Sequence, residues 1–156
     1  MEKEKTCKIV FSDIDGTLLT SDGQITEGTK EMILNLEKKG IPFILTSARS
    51  PEGVRVIKRM LGNHAPIIAF CGGLILDNDG NEIYSKMIPL KRALELKAML
   101  DKDFPAVACN TFGGEKWIVD DRDDWREQRE EKIVGFPAEI GSIKAVSYTH
   151  LRAHET

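Results

Sequence analysis

Two aspartates spaced two positions apart, Asp13 and Asp15, follow the apolar run Ile9-Val10-Phe11 and precede Gly16-Thr17. The run is typical of a buried strand, and the Gly-Thr pair indicates a tight turn directly after it. Because side chains alternate along a strand, both carboxylates are expected on the same side. Two neighbouring carboxylates repel each other unless a cation lies between them or one takes up a proton. Mg²⁺, which prefers oxygen ligands, is the simplest partner for this pair.

A second predicted strand, residues 41–45, ends in Thr46-Ser47-Ala48-Arg49 and is separated from the first by a predicted helix. A strand, a helix and a second strand form a right-handed βαβ unit with parallel strands. The carboxyl ends of such strands share one edge of the sheet, where open α/β sheets place their ligand sites. Ser47 and Arg49 are therefore expected close to the aspartate pair.

These residue types together indicate phosphoryl transfer. An aspartate attacks phosphorus to give an aspartyl phosphate, and a second carboxylate protonates the leaving alkoxide and later deprotonates water. Backbone N–H groups in the Asp15-Gly16-Thr17 turn form an anion-binding concavity. A serine hydroxyl and a guanidinium add donors to the phosphoryl oxygens, and Mg²⁺ offsets the repulsion between the nucleophile and the phosphate.

The remaining elements continue the pattern of an α/β fold. Ser50 as N-cap and Pro51 at the first helical position predict a second helix, and a third strand over residues 66–70 follows it. Residues 74–84 predict a hairpin, because Asp79-Gly80 between apolar runs is a strong turn signal. The pattern changes near residues 85–89. A helix, two strands and a charged helix come next, as at the start of a small α+β module.

Composition excludes several classes of protein. The chain of 156 residues is 41% hydrophobic and 30% charged, as in an ordinary globular protein, and its net charge of −3 gives no reason to expect nucleic acid or an acidic membrane as a partner. No apolar run approaches the length that spans a bilayer, and the charged first residues lack the apolar region of a signal peptide. Three cysteines without C-x-x-C spacing favour a reducing compartment, so a cytoplasmic location is expected. The oligomeric state is not predicted.

Three segments of the sequence resemble the haloacid dehalogenase (HAD) superfamily of phosphatases. The segment from Asp13 to Leu19 is similar to the D-x-D-G-T-L motif of that superfamily, and residues 44–49 resemble its second motif, a strand that ends in Thr or Ser. Cys71-Gly72-Gly73, where relatives often show Asn-Gly, and the hairpin after it resemble the Cof-type subfamily. The resemblance covers roughly residues 7 to 140.

The resemblance implies a Rossmann-like parallel sheet core with an inserted α+β cap. Residues 1–88 would be the N-terminal part of the core and residues 89–144 a partial cap. Asp13 would be the nucleophile and a Mg²⁺ ligand, and Asp15 the general acid/base whose backbone carbonyl also binds the metal. Ser47 would hydrogen-bond the transferring phosphoryl group. The expected substrate contacts are Gly16, Thr17, Arg49 and Gly72.

The last residues need a separate interpretation. The segment from Ala145 to Thr156 resembles a translated sequencing-adapter segment rather than this family. We predict that residues 145–156 are a non-native tail without partner elements. The natural protein would then continue beyond about residue 144, and the resemblance implies that a third carboxylate and a lysine lie there.

Three functions remain open from the sequence. The first is a Mg²⁺-dependent phosphomonoester hydrolase acting on a small phosphorylated metabolite, of the sugar-phosphate kind, through an aspartyl-phosphate intermediate. The second is a truncated, non-catalytic fragment that binds phosphate or metal weakly. The third is a small capless phosphatase in which Asp120 and Asp124 form the acidic motif, with Lys97 or Lys102 upstream.

Overall fold

The computed structural model describes residues 7–113, 116–145 and 148–154. The chain divides into two compact units, one up to Ser85 and one from Lys86 onward. No helix in the described residues is long and apolar enough to cross a membrane.

From residue 7 onward, the N-terminal unit contains one five-stranded sheet and two α-helices. Its strands are β1 (Val10–Asp13), β2 (Phe43–Thr46), β3 (Ile67–Ala69), β4 (Leu74–Leu76) and β5 (Glu82–Ser85). Its helices are α1 (Glu27–Lys38) and α2 (Pro51–Leu61). The strand order is β1-β2-β3-β4-β5, in which β1, β2 and β3 are parallel and β4 and β5 form the antiparallel hairpin. The prediction of an α/β fold with a parallel sheet is confirmed.

Both helices begin at hydroxyl caps. The Thr26 hydroxyl accepts a hydrogen bond from the Thr29 N–H, and the Ser50 hydroxyl accepts one from the Gly53 N–H. Each cap satisfies a backbone donor that the first helical turn leaves without a partner. The predicted cap at Ser50 is thereby confirmed, and α2 starts immediately after the loop that carries Ser47 and Arg49.

The core of this unit lies between the sheet and its helices. Apolar side chains from β2, α2 and β3 are almost completely buried, and Ile14, directly after β1, is 0% exposed. The fully or nearly fully buried members are Ile14, Leu45, Val54, Leu61 and Ala69. Burying an aliphatic side chain of this size contributes roughly 1.5–3 kcal/mol, so Ile14 holds the end of β1 firmly against the core.

The C-terminal unit contains a second five-stranded sheet. Its elements are β6 (Ile88–Pro89), α3 (Leu90–Asp103), β7 (Ala108–Gly113), β8 (Lys116–Val119), α4 (Trp125–Val134), β9 (Glu139–Ile140) and β10 (Tyr148–His154). The strand order is β6-β10-β7-β8-β9. The predicted sequence of a helix, two strands and a charged helix is found here.

Strand β10 corrects one expectation about the last residues. It pairs antiparallel with β6 and, over residues 150–154, with β7, so the expectation that this segment has no partner elements is wrong. Strand pairing uses backbone N–H and C=O groups, which an apolar side-chain pattern does not report. The non-native origin of residues 145–156 stays a prediction.

A buried polar chain crosses the C-terminal unit. The Trp117 Nε1–H donates to Asn110 Oδ1, and the Asn110 amide donates to Glu127 Oε1 at 2.9 Å. Glu127 is 2% exposed, and its Oε2 has no hydrogen-bond partner in the described residues. Burial disfavours the charged form and raises the pKa of Glu127 to about 7, against the opposing effect of the Asn110 hydrogen bond. Nearby Asp124 and Glu130 raise it further.

This pKa predicts how stability depends on pH. The folded state holds a proton on Glu127 up to about pH 7, whereas the unfolded carboxyl, with a pKa of 4.5, loses it earlier. The free energy of unfolding should therefore fall as pH rises from 4.5 to 7. Glu127→Gln should remove this fall and stabilise the protein at pH 8 by roughly 1–3 kcal/mol. Urea denaturation of the parent and the variant at a series of pH values measures the free energy of unfolding.

A matched control lies one turn further along α4. Glu131 accepts hydrogen bonds from Arg122, which lower the pKa of its carboxyl, so Glu131→Gln should destabilise the protein at pH 8. If Glu127→Gln destabilised the protein at pH 8 as Glu131→Gln does, burial would not raise the pKa of Glu127 as proposed.

Candidate functional site

The aspartate pair emerges at the carboxyl edge of the parallel strands. β1 ends at Asp13, and both Asp13 and Asp15 are exposed while Ile14 between them is buried. The N–H groups of Leu18 and Leu19 both donate to the Ile14 carbonyl, each at 3.1 Å. The turn is thus closed on the residue that anchors it in the core, and the two carboxylates remain outside.

The backbone of this turn offers donors to an anion. In the described part of the chain, no acceptor takes the N–H groups of Asp15, Gly16 or Thr17. Gly16 adopts φ 75°, a left-handed conformation that glycine tolerates without strain. Successive free N–H groups in such a turn form a concavity that binds phosphate-like anions.

The β1–β2 register brings the second motif to the first. Asp13 lies directly beside Thr46, so Ser47 follows at the same edge. Ser47 is buried, and its hydroxyl oxygen accepts a hydrogen bond from the Arg49 N–H at 3.1 Å. The hydroxyl hydrogen is not used by this bond and remains able to donate.

Arg49 makes a two-pronged ion pair with Asp15. Arg49 Nε lies 2.9 Å from Asp15 Oδ2, and Arg49 Nη2 lies 2.6 Å from Asp15 Oδ1. The Arg49 side chain is 7% exposed and the Asp15 side chain 57%. The sequence placed the two residues near each other but did not predict the pair, because spacing along the chain carries no information on which charges meet. A fork of this kind fixes the orientation of the carboxylate as well as its position.

The Asp13 carboxylate, unlike that of Asp15, has no partner within the described residues. No hydrogen bond or ion pair within the described residues engages the Asp13 carboxylate, and no described N–H donates to the Asp15 carbonyl. Both groups are oxygen donors at an exposed edge, which suits a hard divalent cation. The described residues hold no group of three or more His, Cys, Asp or Glu side chains that together fit a metal ion.

A strained turn supports the Ser47–Arg49 loop from β3. Phe70, Cys71 and Gly72 have φ values of 50°, 54° and 92°. The Phe70 N–H donates to the Arg49 carbonyl at 3.0 Å, and the Cys71 N–H donates to the Ser47 carbonyl at 2.9 Å. Left-handed conformations are costly for residues other than glycine and persist where surrounding contacts enforce them, as at functional sites. The turn therefore brings Gly72 to the same edge as the aspartates.

Every residue predicted for the site thus lies at one edge of the first sheet. The alternative acidic motif, Asp120 and Asp124, belongs to the C-terminal unit. Asp120 follows β8, a strand of the second sheet, and its carboxylate pairs with Lys97 Nζ at 2.8 Å. Asp124 caps α4 and pairs with Arg126 at 2.6 Å. These carboxylates are already engaged within the C-terminal unit, which favours a structural role for them. Sequence reasoning missed Phe70, since a phenylalanine gives no signal of a left-handed conformation.

The strain at Cys71 predicts the effect of two substitutions. Asn tolerates the left-handed region, so Cys71→Asn should raise the free energy of unfolding by about 0.5–1 kcal/mol. Val is β-branched, and Cys71→Val should lower it by about 1–2 kcal/mol. Cys7 is also exposed but lies outside the left-handed region, so the same changes there should have little effect. If the Cys71→Asn and Cys71→Val variants were equally stable in chemical denaturation, the backbone at position 71 would not be strained.

Known proteins are similar to this chain in sequence or in fold. A protein of Haemophilus influenzae named "Putative phosphatase" is 36% identical over 124 residues, which are 74% of this chain and 47% of the relative. The crystal structure of a haloacid dehalogenase-like hydrolase from Bacteroides thetaiotaomicron superimposes with a TM-score of 0.78 at 20% identity, over 88% of this chain and 52% of that one. A sugar phosphatase of HAD subclass IIB superimposes with a TM-score of 0.68 at 21% identity, over 90% of this chain and 54% of that one.

The chain spans about half the length of these relatives. Residues 10–147 match the family described as haloacid dehalogenase-like hydrolase. The matched range includes the whole candidate site and the part of the C-terminal unit that precedes β10. The chain belongs to the haloacid dehalogenase-like hydrolase family.

Proposed function

We propose that the whole protein is a Mg²⁺-dependent phosphomonoester hydrolase that acts on a small phosphorylated metabolite of the sugar-phosphate class. One observation carries the proposal: within the described residues nothing pairs with the Asp13 carboxylate, and the N–H groups of Asp15, Gly16 and Thr17, which follow it in the turn, have no acceptor. A nucleophile next to an anion-binding turn is the arrangement that phosphoryl transfer requires. The likeness to a HAD subclass IIB sugar phosphatase supports the substrate class.

In the proposed reaction, the turn N–H groups and the Ser47 hydroxyl bind the phosphoryl oxygens. The Asp13 carboxylate attacks phosphorus, the bond to the leaving oxygen breaks, and an aspartyl phosphate forms. Water then attacks the phosphorus of this intermediate and releases inorganic phosphate and free Asp13. Asp15 donates a proton to the leaving oxygen and takes one from the attacking water.

The fork from Arg49 constrains the role of Asp15. Both Asp15 oxygens accept hydrogen bonds from Arg49, so Asp15 must release at least one of them to exchange a proton with the leaving group. Arg49 therefore acts in this proposal first as the residue that orients Asp15. A contact from Arg49 to substrate becomes available when the fork opens.

The Asp13 carboxylate and the Asp15 carbonyl would hold Mg²⁺. A bound Mg²⁺ would offset the repulsion between the carboxylate and the phosphoryl oxygens. We also propose that the protein is of the Cof type, with the unit from Lys86 onward as the start of its cap.

A second candidate function is weak binding of phosphate or metal without catalysis by the 156-residue chain. It is favoured by the lack, among the described residues, of any three-residue acidic or histidine group that fits a metal. Mg²⁺ needs near-octahedral oxygen coordination, and Asp13 and Asp15 supply only part of it. Under the proposal, the remaining protein ligand comes from sequence that the longer relatives possess.

The test measures Mg²⁺-dependent hydrolysis of p-nitrophenyl phosphate by this chain and by a version extended to the length of its relatives. We expect turnover by the extended protein and little or none by this chain. In the extended protein, Asp13→Asn should lower turnover by at least about a hundredfold, because an amide is neither a nucleophile nor an anionic ligand. Asp22→Asn is the control, since Asp22 is an exposed aspartate in the turn at residues 21–23, before α1. Turnover by the Asp13→Asn variant within a few-fold of the parent would refute the proposed nucleophile.

A further inference from the structure

A second concave site lies in the N-terminal unit, away from the aspartate edge. It is a cavity of about 590 Å³ between the last turns of α2, the start of β3 and the turn that joins β4 to β5. Ile67 at the start of β3 pairs with Leu76 at the end of β4, and both line the cavity. Because the candidate active site is at the carboxyl end of the parallel strands, the cavity is at the opposite edge of the sheet. Its volume is within the range of small-molecule sites.

One wall of the cavity carries three cationic side chains on a single helical face. Arg55, Lys58 and Arg59 occupy positions i, i+3 and i+4 of α2. The two arginines share one carboxylate, since Arg55 Nη1 lies 3.3 Å and Arg59 Nη2 lies 2.9 Å from oxygens of Glu52. Their charges are thus only partly neutralised.

Lys58 differs from its two neighbours. In residues 7–113, 116–145 and 148–154, no carboxylate or carbonyl pairs with its ammonium group. Partial burial and the charge of Arg55 lower the pKa of Lys58, against the raising effects of Glu37, Asp77 and Asp79. A partly desolvated cation without a partner gains from any anion that enters the cavity.

The opposite wall carries hydrogen-bond acceptors. The Asp77 carboxylate is taken up by its own turn, where it accepts from the N–H groups of Asp79 and Asn81 and from the Asn81 amide. The Asp79 carboxylate is exposed and engages no donor within the described residues. A bare anion would meet repulsion from this wall, whereas a ligand that also carries hydroxyl groups would donate hydrogen bonds to it.

We propose that this cavity binds a small phosphorylated polyol, with its phosphate on Lys58 and Arg59 and its hydroxyl groups on Asp79. The site is separate from the aspartate edge and does not depend on the proposed hydrolysis. A phosphorylated metabolite held here would act as an effector of the protein rather than as its substrate.

The test is isothermal titration calorimetry of this chain with glucose 6-phosphate, glucose and inorganic phosphate as probes, without added metal. Glucose 6-phosphate should bind more tightly than inorganic phosphate, and glucose alone should give no measurable heat. Lys58→Met, which keeps the alkyl stem, should weaken the binding of glucose 6-phosphate at least about tenfold. Lys38→Met is the matched control, because Lys38 is exposed in the last turn of α1, and should leave binding within about twofold.

Two further variants distinguish this cavity from the candidate active site. Ser47→Ala removes the hydroxyl proposed to bind phosphate at the aspartate edge, so in that background Lys58→Met should still weaken the binding of glucose 6-phosphate at least about tenfold. Asp79→Asn should weaken the binding of glucose 6-phosphate without affecting that of inorganic phosphate. Lys58→Met should unfold at the same or a higher temperature than the parent, because it removes an unpaired charge from a partly buried place. Binding of glucose 6-phosphate that Lys58→Met leaves unchanged in the Ser47→Ala background would overturn the proposal.

Discussion

The parallel pairing of β1 with β2 is the constraint on which the candidate site depends. It sets Asp13 beside Thr46, so the turn after β1 and the loop after β2 begin at neighbouring points of one edge. The pairing is held in place by apolar side chains behind it, chiefly Ile14 and Leu45, which are 0% and 1% exposed. A shift of the register by one residue would turn these side chains to the other face of the sheet and take the aspartates with them.

The same edge of the sheet gives two chemically similar carboxylates, Asp13 and Asp15, different surroundings. Asp13 stands without a partner in the described residues, whereas Arg49 engages both oxygens of Asp15. This difference fits the proposal that Asp13 attacks the substrate and binds a cation, while Asp15 is held in a fixed orientation. Environment rather than residue type assigns different roles to two acidic groups. The Phe70–Gly72 turn adds support from the third strand, because its N–H groups hold the loop that carries Ser47 and Arg49.

Much of this was predictable from the sequence because it depends on local rules. The apolar runs, the cap at Ser50 and the Asp-Gly turn each carry a signal within a few residues, and the handedness of a βαβ unit then brings the strand ends together. What could not be predicted depends on long-range contacts. The Arg49–Asp15 pair, the left-handed Phe70 and the pairing of β10 with β7 arise from groups that are distant in sequence or from backbone atoms alike in every residue.

In the proposed reaction, Asp13 forms a covalent bond to phosphorus. The most direct measurement is mass spectrometry of the peptide that contains Asp13, after the whole protein has been mixed with p-nitrophenyl phosphate and Mg²⁺ and quenched in acid during turnover. We expect this peptide to gain the mass of one phosphoryl group, and fragmentation to place the group on Asp13 rather than on Asp15 or Ser47. Turnover with no phosphorylated peptide, or with the phosphoryl group on another residue, would contradict the proposed reaction.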